Sequence, residues 1–247
     1  MSIPVHWVES LVGIGVGDPV EVVGDEAHHA VAVRRLRAGE RVVVTDGCGT
    51  TVTATVVETG KRRLVVAADR VETVPEPVPS VTVVQALPKG DRGELAVELL
   101  TEVGVSTVVP WAAARSVTVW RGERVDKGLA RWRATAREAA KQARRPWFPV
   151  VTDLASTSDV ARLLGGASLA LVLHEEADEP LTSFDVPAGG TVVVVVGPEG
   201  GLTDDEVATL RAAGGRAVRL GSEVLRTSTA GVVATAALLA RTGRWGV

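Results

Sequence analysis

Apolar and polar positions alternate along the first 73 residues in short runs separated by turn residues. Val and Thr dominate these runs, and pairs such as Gly24-Asp25 and Asp46-Gly47 separate them. Alternation with a period of two is typical of strands with one buried face. The predicted strands are residues 20–23, 41–45, 51–57 and 63–67. Together with one helix over residues 25–37, they predict a small β-barrel over residues 1–73.

The alternation stops at Val74-Pro75-Glu76-Pro77-Val78-Pro79, where three prolines fall within five residues. Because proline lacks an N–H and has a fixed φ, such a stretch forms neither a helix nor a central strand. We expect a linker over residues 74–80 and a second domain over residues 81–247.

From residue 81 onward, continuous apolar runs alternate with helical patterns. The predicted strands are residues 81–87, 105–109, 168–173, 191–196 and 217–220, and the predicted helices are residues 92–103, 129–144, 203–213 and 229–241. Apolar strands separated by helices indicate an α/β fold with a parallel sheet covered on both faces. In such sheets, ligands bind at the carboxyl ends of the strands.

Composition narrows the chemistry that the chain can perform. Hydrophobic residues make up 46% and charged residues 23% of its 247 residues, as in globular proteins. Cys48 is the only cysteine, and the four histidines lack the spacing of a zinc helix. No apolar run is long enough to span a bilayer, and the first twenty residues do not resemble a signal peptide. We expect a soluble cytoplasmic protein with no disulfide, no metal and no membrane contact.

The net charge of −3 conceals an uneven distribution of charge. Between Trp111 and Pro149, ten Lys and Arg residues stand against three acidic residues, which is a local charge of +7. A smaller basic cluster near the N-terminus comprises Arg34, Arg35 and Arg37. Concentrated charge of one sign raises the potential felt by a polyanion, so these segments favour contact with nucleic acid.

The long helix predicted in the basic segment carries a stripe of cations. Residues at every fourth position share one face of a helix, and here they are Arg133, Arg137, Lys141 and Arg145. The opposite face carries Trp132 and small apolar residues, which indicates burial. Four cations without an acid repel one another, and a polyphosphate would relieve that repulsion. The alternative is a basic face that is only solvated.

Two polar loops, each following a late apolar strand, carry the most specific pattern. In the first, Gly197-Pro198-Glu199-Gly200-Gly201 precedes Thr203, which with Glu206 forms a capping box for the next helix. Its glycines let the backbone bend and expose amides to a ligand. The loop matches neither a Walker phosphate loop nor a dinucleotide fingerprint. An ordinary strand-to-helix turn is the alternative.

The second loop runs Leu220-Gly221-Ser222-Glu223-Val224-Leu225-Arg226-Thr227 and also follows a strand. The final helix after it is small and apolar on every side. A helix of this kind is buried, either in the core or against another subunit. Together, the two loops predict a cleft at the carboxyl ends of neighbouring strands.

These strings, Gly-Pro-Glu-Gly-Gly and Leu-Gly-…-Leu-Arg-Thr-…-Thr-Ala, resemble the two signature loops of SPOUT RNA methyltransferases. More narrowly, the chain resembles the family that makes 3-methyluridine in 16S ribosomal RNA. The resemblance extends over nearly the whole chain through His28-His29, Arg35-Leu36-Arg37, Leu87-Pro88-Lys89-Gly90-Asp91-Arg92 and Thr101-Glu102-Val103-Gly104-Val105. The family usually has Glu where this chain has Ser228 and Leu where it has Arg34. Ser228 is therefore assigned no catalytic role.

The resemblance implies an N-terminal PUA-like β-barrel and a C-terminal α/β SPOUT domain that ends in a trefoil knot and forms a homodimer. It also implies S-adenosylmethionine as cofactor and 16S ribosomal RNA of the small ribosomal subunit as substrate. The implied cofactor-binding residues are Leu173, His174, Gly197, Pro198, Glu199, Gly200, Gly201, Leu220, Gly221, Leu225, Arg226 and Thr227. The residues expected to face RNA are Arg34, Arg35, Arg37, Arg115, Arg133, Arg137, Lys141, Arg144 and Arg145.

Methyl transfer from a sulfonium to a uracil nitrogen is an in-line displacement, and the nitrogen attacks well only as the anion. The site therefore needs positioning, stabilisation of charge on the uracil carbonyl oxygens, and a base. Arg226 is the candidate for stabilising charge, with a salt bridge inside the loop as its alternative. Glu199 either acts as the base or fixes the loop through backbone amides. His174 either lines the cofactor pocket or is an ordinary loop residue.

Two other functions are compatible with the sequence. One is a SPOUT methyltransferase that acts on transfer RNA or on another ribosomal RNA site. The other is a non-catalytic RNA-binding protein, which the intact glycines of both loops argue against.

Overall fold

The chain divides into two units in the computed structural model, which describes residues 3–245. The first unit contains the chain up to Glu76 together with Ala140–Phe148. The second contains Pro77–Ala139 and the chain from Pro149 onward. None of the helices in the described part of the chain is long and apolar enough to cross a membrane.

A curled sheet of five strands forms most of the first unit. Its strands are β1 (Val5–Trp7), β2 (Pro19–Val23), β3 (Arg41–Thr45), β4 (Thr50–Thr59) and β5 (Arg63–Thr73). They lie in the order β1-β3-β4-β5-β2, and all neighbours are antiparallel except the parallel pair β1 and β3. The sheet is a half-barrel with β1 and β2 at its edges. The four predicted strands are confirmed, and β1 was missed because it has only three residues.

The helix predicted over residues 25–37 is shorter in the structure, and its second part is π-helical. α1 (Gly24–His28) passes directly into a π-helical turn over His29–Val33, where the N–H of Arg34 donates to the carbonyl of His29. Arg35 then takes a φ of 57°, a left-handed conformation that cannot continue a helix. Residues 36 and 37 therefore lie outside it.

The segment Ala140–Phe148 packs against the turn between β3 and β4. A Cβ added at Gly47 would lie 2.8 Å from the ring of Phe148, and one at Gly49 would lie 2.7 Å from the ring of Trp147. The indole N–H of Trp147 also donates to the carbonyl of Val74 at 3.0 Å. Both aromatic rings therefore fit only because the turn carries glycines.

A parallel sheet of six strands forms the centre of the second unit. These strands are β6 (Ser80–Ala86), β7 (Thr107–Trp111), β8 (Val150–Val151), β9 (Leu169–Leu173), β10 (Thr191–Val196) and β11 (Arg216–Val218). Their order is β11-β9-β10-β6-β7-β8, with every neighbouring pair parallel. This confirms the predicted α/β fold.

Five α-helices accompany this sheet within residues 3–245. They are α2 (Arg92–Val103), α3 (Glu123–Gln142), α4 (Thr157–Gly165), α5 (Asp204–Ala212) and α6 (Thr227–Leu239). α3 begins six residues before its predicted start, at Glu123, because Glu123 and Asp126 suit the first turn of a helix. Helix α4 was not predicted, although Ser156 and Asp159 form a capping box at its start.

Both faces of the central strands are buried, which explains their nearly pure valine sequence. Val192 and Val194 belong to a core shared with Leu100 of α2. Val193 and Val195 belong to a second core shared with Leu210 of α5. Because successive side chains of a strand point to opposite faces, a strand between two helical layers must be apolar at every position.

Candidate functional site

A cleft of about 650 Å³ opens at the carboxyl ends of β9, β10 and β11. Val218 at the end of β11 lies beside Leu173 at the end of β9, and Val195 of β10 lies beside Val172. The loops after these strands therefore start at the same edge of the sheet. They line the cleft with the twelve residues that the resemblance assigned to the cofactor, namely Leu173, His174, Gly197, Pro198, Glu199, Gly200, Gly201, Leu220, Gly221, Leu225, Arg226 and Thr227.

The first of these loops, residues 197–203, is named here the glycine loop. Gly201 adopts a φ of +70°, which glycine tolerates at little cost, and its N–H donates to the carbonyl of Pro198 at 2.9 Å. Thr203 then starts α5 as the N-cap. Its hydroxyl accepts from the N–H of Glu206, and the Glu206 carboxylate accepts from the N–H of Thr203 at 2.9 Å. The predicted capping box is confirmed.

Two neighbouring strand ends contact the glycine loop. Glu199 Oε1 accepts from the N–H of Lys89, just after β6, at 3.1 Å. Arg115, just after β7, donates through Nη1 to the carbonyls of Gly200 at 3.3 Å and Leu202 at 3.1 Å. The contact of Glu199 agrees with the loop-fixing alternative. Arg115 was predicted to face RNA, but at least one of its nitrogens binds this loop.

The second loop ends at Arg226, which is the N-cap residue of α6. Its side chain is exposed and lines the cleft, and it forms neither a hydrogen bond nor an ion pair within residues 3–245. The predicted alternative of a salt bridge inside the loop is therefore wrong for this structure. Ser228 is buried in the first turn of α6, with 3% of its surface exposed.

His174 lies in the turn that follows β9. Its backbone N–H donates to the carbonyl of Val218 at 3.0 Å, and its Nδ1 accepts from the N–H of Glu176 at 3.2 Å. The imidazole therefore stabilises the turn at the edge of the cleft.

Other residues, which were not predicted to bind the cofactor, also line the cleft. Arg92, Arg219 and Asp204 border it together with the predicted set. Arg219 is the first residue after β11, and Asp204 is the first residue of α5. The rule that ligands bind at strand ends was sufficient to find both.

The residues expected to face RNA differ in whether they already pair with an acid of the chain. Arg34, Arg35 and Arg37 are exposed and have no ion pair within the described chain. Arg133 donates to Asp153 at 2.8 Å and to the carbonyl of Val151 at 3.1 Å. The stripe itself carries no acid, but Asp153, which lies outside it, already neutralises Arg133.

The other basic residues of this region, Arg137, Arg144 and Arg145, also differ from one another in exposure and contacts. Arg137 has a weak contact with Glu138 at 4.0 Å. Arg144 is exposed and has a φ of 54°, and Arg145 is half-buried. Helix α3 has ended by then, so Arg145 does not continue its face as predicted.

Lys141 is largely buried in the first unit, with 10% of its side chain exposed. Its Nζ lies 2.9 and 3.1 Å from the two carboxylate oxygens of Glu26, and His6 Nδ1 lies 3.2 Å from the same carboxylate. Burial alone would raise the pKa of Glu26, but the hydrogen bonds from His6 and Lys141 outweigh it and lower this pKa to about 2. Lys141 is therefore a structural counterion, which removes it from the surface available to RNA.

Comparison with known families matches both units. Residues 74–239 match the RNA methyltransferase domain family, and residues 24–68 match the RNA methyltransferase PUA domain family. The first match covers more than half of the chain, so it shows the family of the second unit.

Relatives and solved structures agree with these matches. The ribosomal RNA small subunit methyltransferase E of Mycobacterium tuberculosis is 48% identical, over 91% of this chain and 87% of its own length. That of Bacillus subtilis is 31% identical, over 88% of each chain. The crystal structure of the enzyme from Neisseria gonorrhoeae bound to S-adenosyl methionine has a TM-score of 0.84 and 28% identity, covering 96% of each chain. The chain therefore belongs to the ribosomal RNA small subunit methyltransferase E family of RNA methyltransferases.

Proposed function

We propose that the chain uses S-adenosylmethionine to methylate N3 of a uridine in 16S ribosomal RNA of the small ribosomal subunit. The observation that carries this proposal is the meeting of both glycine-containing loops in one cleft at the carboxyl ends of β9, β10 and β11. The names of the relatives support ribosomal RNA as substrate, and the ligand of the Neisseria gonorrhoeae structure supports the cofactor. The uridine and its N3 come from the sequence resemblance.

The cleft fits S-adenosylmethionine in size and in the groups that it presents. It offers backbone groups of Gly197, Gly200 and Gly221, where no side chain intervenes, together with both acidic and basic side chains. An amino-acid moiety with an ammonium and a carboxylate needs donors and acceptors of that kind. When bound, the cofactor supplies an electrophilic methyl group on a sulfonium.

Arg226 is the residue that we assign to the uracil. A uracil anion carries negative charge on its carbonyl oxygens, and a guanidinium at the cleft edge can donate to them. The Arg226 side chain lines the cleft without a partner among residues 3–245, so it is available for this role. For Glu199 the bond to Lys89 favours loop fixing over the role of base.

We expect Arg226→Ala to fold normally and to lower kcat about a hundredfold, because the donor to the developing charge is lost. Steady-state kinetics with small subunits as substrate would measure this. Arg226→Lys is the matched control, since it keeps the charge and should lose less. A wild-type kcat in Arg226→Ala would remove this residue from catalysis.

Nucleoside analysis of ribosomal RNA decides between the proposed function and its rivals. Deletion of the gene should remove 3-methyluridine from 16S ribosomal RNA, and reintroduction of the chain should restore it. If 3-methyluridine persists and a different methylated nucleoside is lost, the chain would instead be a methyltransferase that acts on another RNA site. A chain that gives no heat when titrated with S-adenosylmethionine would be a non-catalytic RNA-binding protein.

We also propose that the chain forms a homodimer through the second unit, that this unit ends in a trefoil knot, and that the protein is located in the cytoplasm. The resemblance supports the knot and the dimer, and a ribosomal RNA substrate supports the location. Helix α6 adds support for the dimer, because Val233 on this apolar helix is 43% exposed. Sedimentation equilibrium would test the dimer, and a monomer at micromolar concentration would contradict it.

A further inference from the structure

We propose that Arg115 and Glu206 are positioning residues that hold the glycine loop in the shape that accepts S-adenosylmethionine. Through these two residues, the segment after β7 that carries Ala114 and Arg115 is bonded to the glycine loop and holds it in place. The inference rests on the proposed function and deepens it, because it names what prepares the cofactor site. It also replaces the expectation that Arg115 contacts RNA.

Glu206 is a buried carboxylate that uses both of its oxygens. Its Oε2 accepts from the N–H of Thr203 at 2.9 Å and from the Thr203 hydroxyl at 3.1 Å, which completes the cap of α5. Its Oε1 accepts from the N–H of Ala114 at 2.8 Å. A capping box needs only the first of these oxygens. The second oxygen joins the end of the glycine loop to the segment after β7.

Arg115 approaches the middle of the same loop. Its Nη1 donates to the carbonyls of Gly200 and Leu202. A Cβ added at Gly200 would lie 3.1 Å from Arg115 Cβ and 3.2 Å from the Arg115 carbonyl oxygen. The close approach of the two segments therefore depends on glycine at position 200.

These contacts hold two peptide groups of the loop, each by its carbonyl and by its N–H. In the peptide between Gly200 and Gly201, the carbonyl accepts from Arg115 and the N–H donates to Pro198. In the peptide between Leu202 and Thr203, the carbonyl accepts from Arg115 and the N–H donates to Glu206. Because a peptide group is planar, holding both ends fixes its orientation.

The loop still has donors to offer. The N–H groups of Glu199 and Gly200 have no hydrogen-bond partner among residues 3–245. A loop that is already ordered loses less conformational entropy when it binds a ligand, so its affinity is higher. The support by Arg115 and Glu206 should therefore affect cofactor affinity more than the chemical step.

The experiment compares Arg115→Ala, Arg115→Lys and Glu206→Gln with the unaltered chain. Calorimetry gives the Kd for S-adenosylmethionine, kinetics give kcat and the KM of each substrate, and thermal unfolding without ligand reports stability. Asp159→Asn is the matched control. Asp159 closes the capping box of α4, where its Oδ2 accepts from the N–H of Ser156 at 2.9 Å, and neither residue lines the cleft.

We expect Arg115→Ala and Glu206→Gln each to raise the Kd and KM for S-adenosylmethionine about tenfold, since each removes hydrogen bonds of a charged group. The KM for RNA and kcat should change much less. Arg115→Lys should recover part of the affinity. Asp159→Asn should lower the unfolding temperature as a lost cap does, with unchanged cofactor affinity.

Three results would overturn the inference. Unchanged cofactor affinity in Arg115→Ala with a raised KM for RNA would make Arg115 an RNA contact. A loss of cofactor affinity in Asp159→Asn equal to that in Glu206→Gln would mean that lost stability alone explains the effect. Should Glu206→Gln not fold, the two Arg115 variants decide, because that side chain is exposed. An unaltered chain that binds no S-adenosylmethionine would overturn the proposed function as well, which separates the two failures.

Discussion

Glu26 in the first unit is a largely buried carboxylate that contacts His6 and Lys141. An unpaired buried charge is costly, whereas a charge with good partners is stable. Lys141 lies 115 positions away from Glu26 in the chain, and Arg115 lies 85 positions away from Gly200. Pattern analysis of single segments cannot find such partners. Both residues were therefore predicted to face RNA, on the basis of local charge and of the family resemblance.

We expect Glu26→Gln to lower the free energy of unfolding by about 2 kcal/mol at pH 7. The pKa of Glu26 is about 2 in the folded chain, below its usual 4.5. Ionised Glu26 therefore stabilises the fold above about pH 4.5, and this stabilisation is lost as the pH falls toward 2. Denaturant unfolding at pH 7 and pH 3 should show the difference from the unaltered chain shrinking at the lower pH.

Glu21→Gln is the control for this prediction. Glu21 pairs with Arg63 at the surface of the same unit, and both side chains are about half exposed. Exposed pairs contribute little, so its effect should be much smaller than that of Glu26→Gln at pH 7. An equal effect of both substitutions would contradict a special role for Glu26.

Two tryptophans, Trp120 just before helix α3 and Trp132 within it, fit against glycines. The rings of Trp120 and Trp132 meet edge to face, with centroids 5.3 Å apart. A Cβ at Gly128 would lie 2.6 Å from the Trp120 ring, and one at Gly93 would lie 2.9 Å from the Trp132 ring. The sequence predicted burial of Trp132 from its position opposite the cations, but not the glycine that each ring requires.

Gly128→Ala should therefore destabilise the chain, although alanine in a helix is normally more stable than glycine by about 1 kcal/mol. The added methyl group would displace the Trp120 ring, and overpacking costs about 1–3 kcal/mol. Gly165→Ala in α4 is the control, since its nearest atom would be 3.9 Å away. Thermal unfolding should show opposite signs for the two variants. A stabilised Gly128→Ala would mean that the ring moves freely.

The elements that the sequence predicted well are those with long apolar runs. Strand β10 was predicted at its observed limits, Thr191–Val196, because burial on both faces demands valine throughout. Strand β8 has only two residues, which is too short for any periodic pattern. Helix α4 does carry an apolar face with Val160 and Leu164 buried, together with its capping box, so its sequence contained a signal that was not used.

At the scale of the molecule, the cleft was predictable and the basic surface was not. Because ligands bind at the carboxyl ends of parallel strands, the two loops could be placed at the same edge of one sheet without knowing any side-chain contact. The basic surface depends on which cations already have acidic partners. In the first unit, Arg34 and Arg37 have none within the described residues, whereas Arg62 and Arg63 pair with acids.

Arg34→Gln with Arg37→Gln should weaken RNA binding and reduce the slope of log affinity against log salt by about 1.5, if each cation contacts a phosphate. The control combines Arg62→Gln with Arg63→Gln, which removes the same charge from paired positions. Filter binding at several salt concentrations measures both. Equal slopes in the two double variants would contradict a selective role for the unpaired cations.

The membership of Ala140–Phe148 in the first unit limits how this protein can be rearranged. Cutting the chain after Glu76 would leave Glu26 buried without Lys141 and would uncover the turn at Gly47 and Gly49. The segment up to Glu76 therefore cannot be transferred to another enzyme by itself. Recombination that grafts it must carry the nine residues Ala140–Phe148 as well, so the two units are expected to be inherited together.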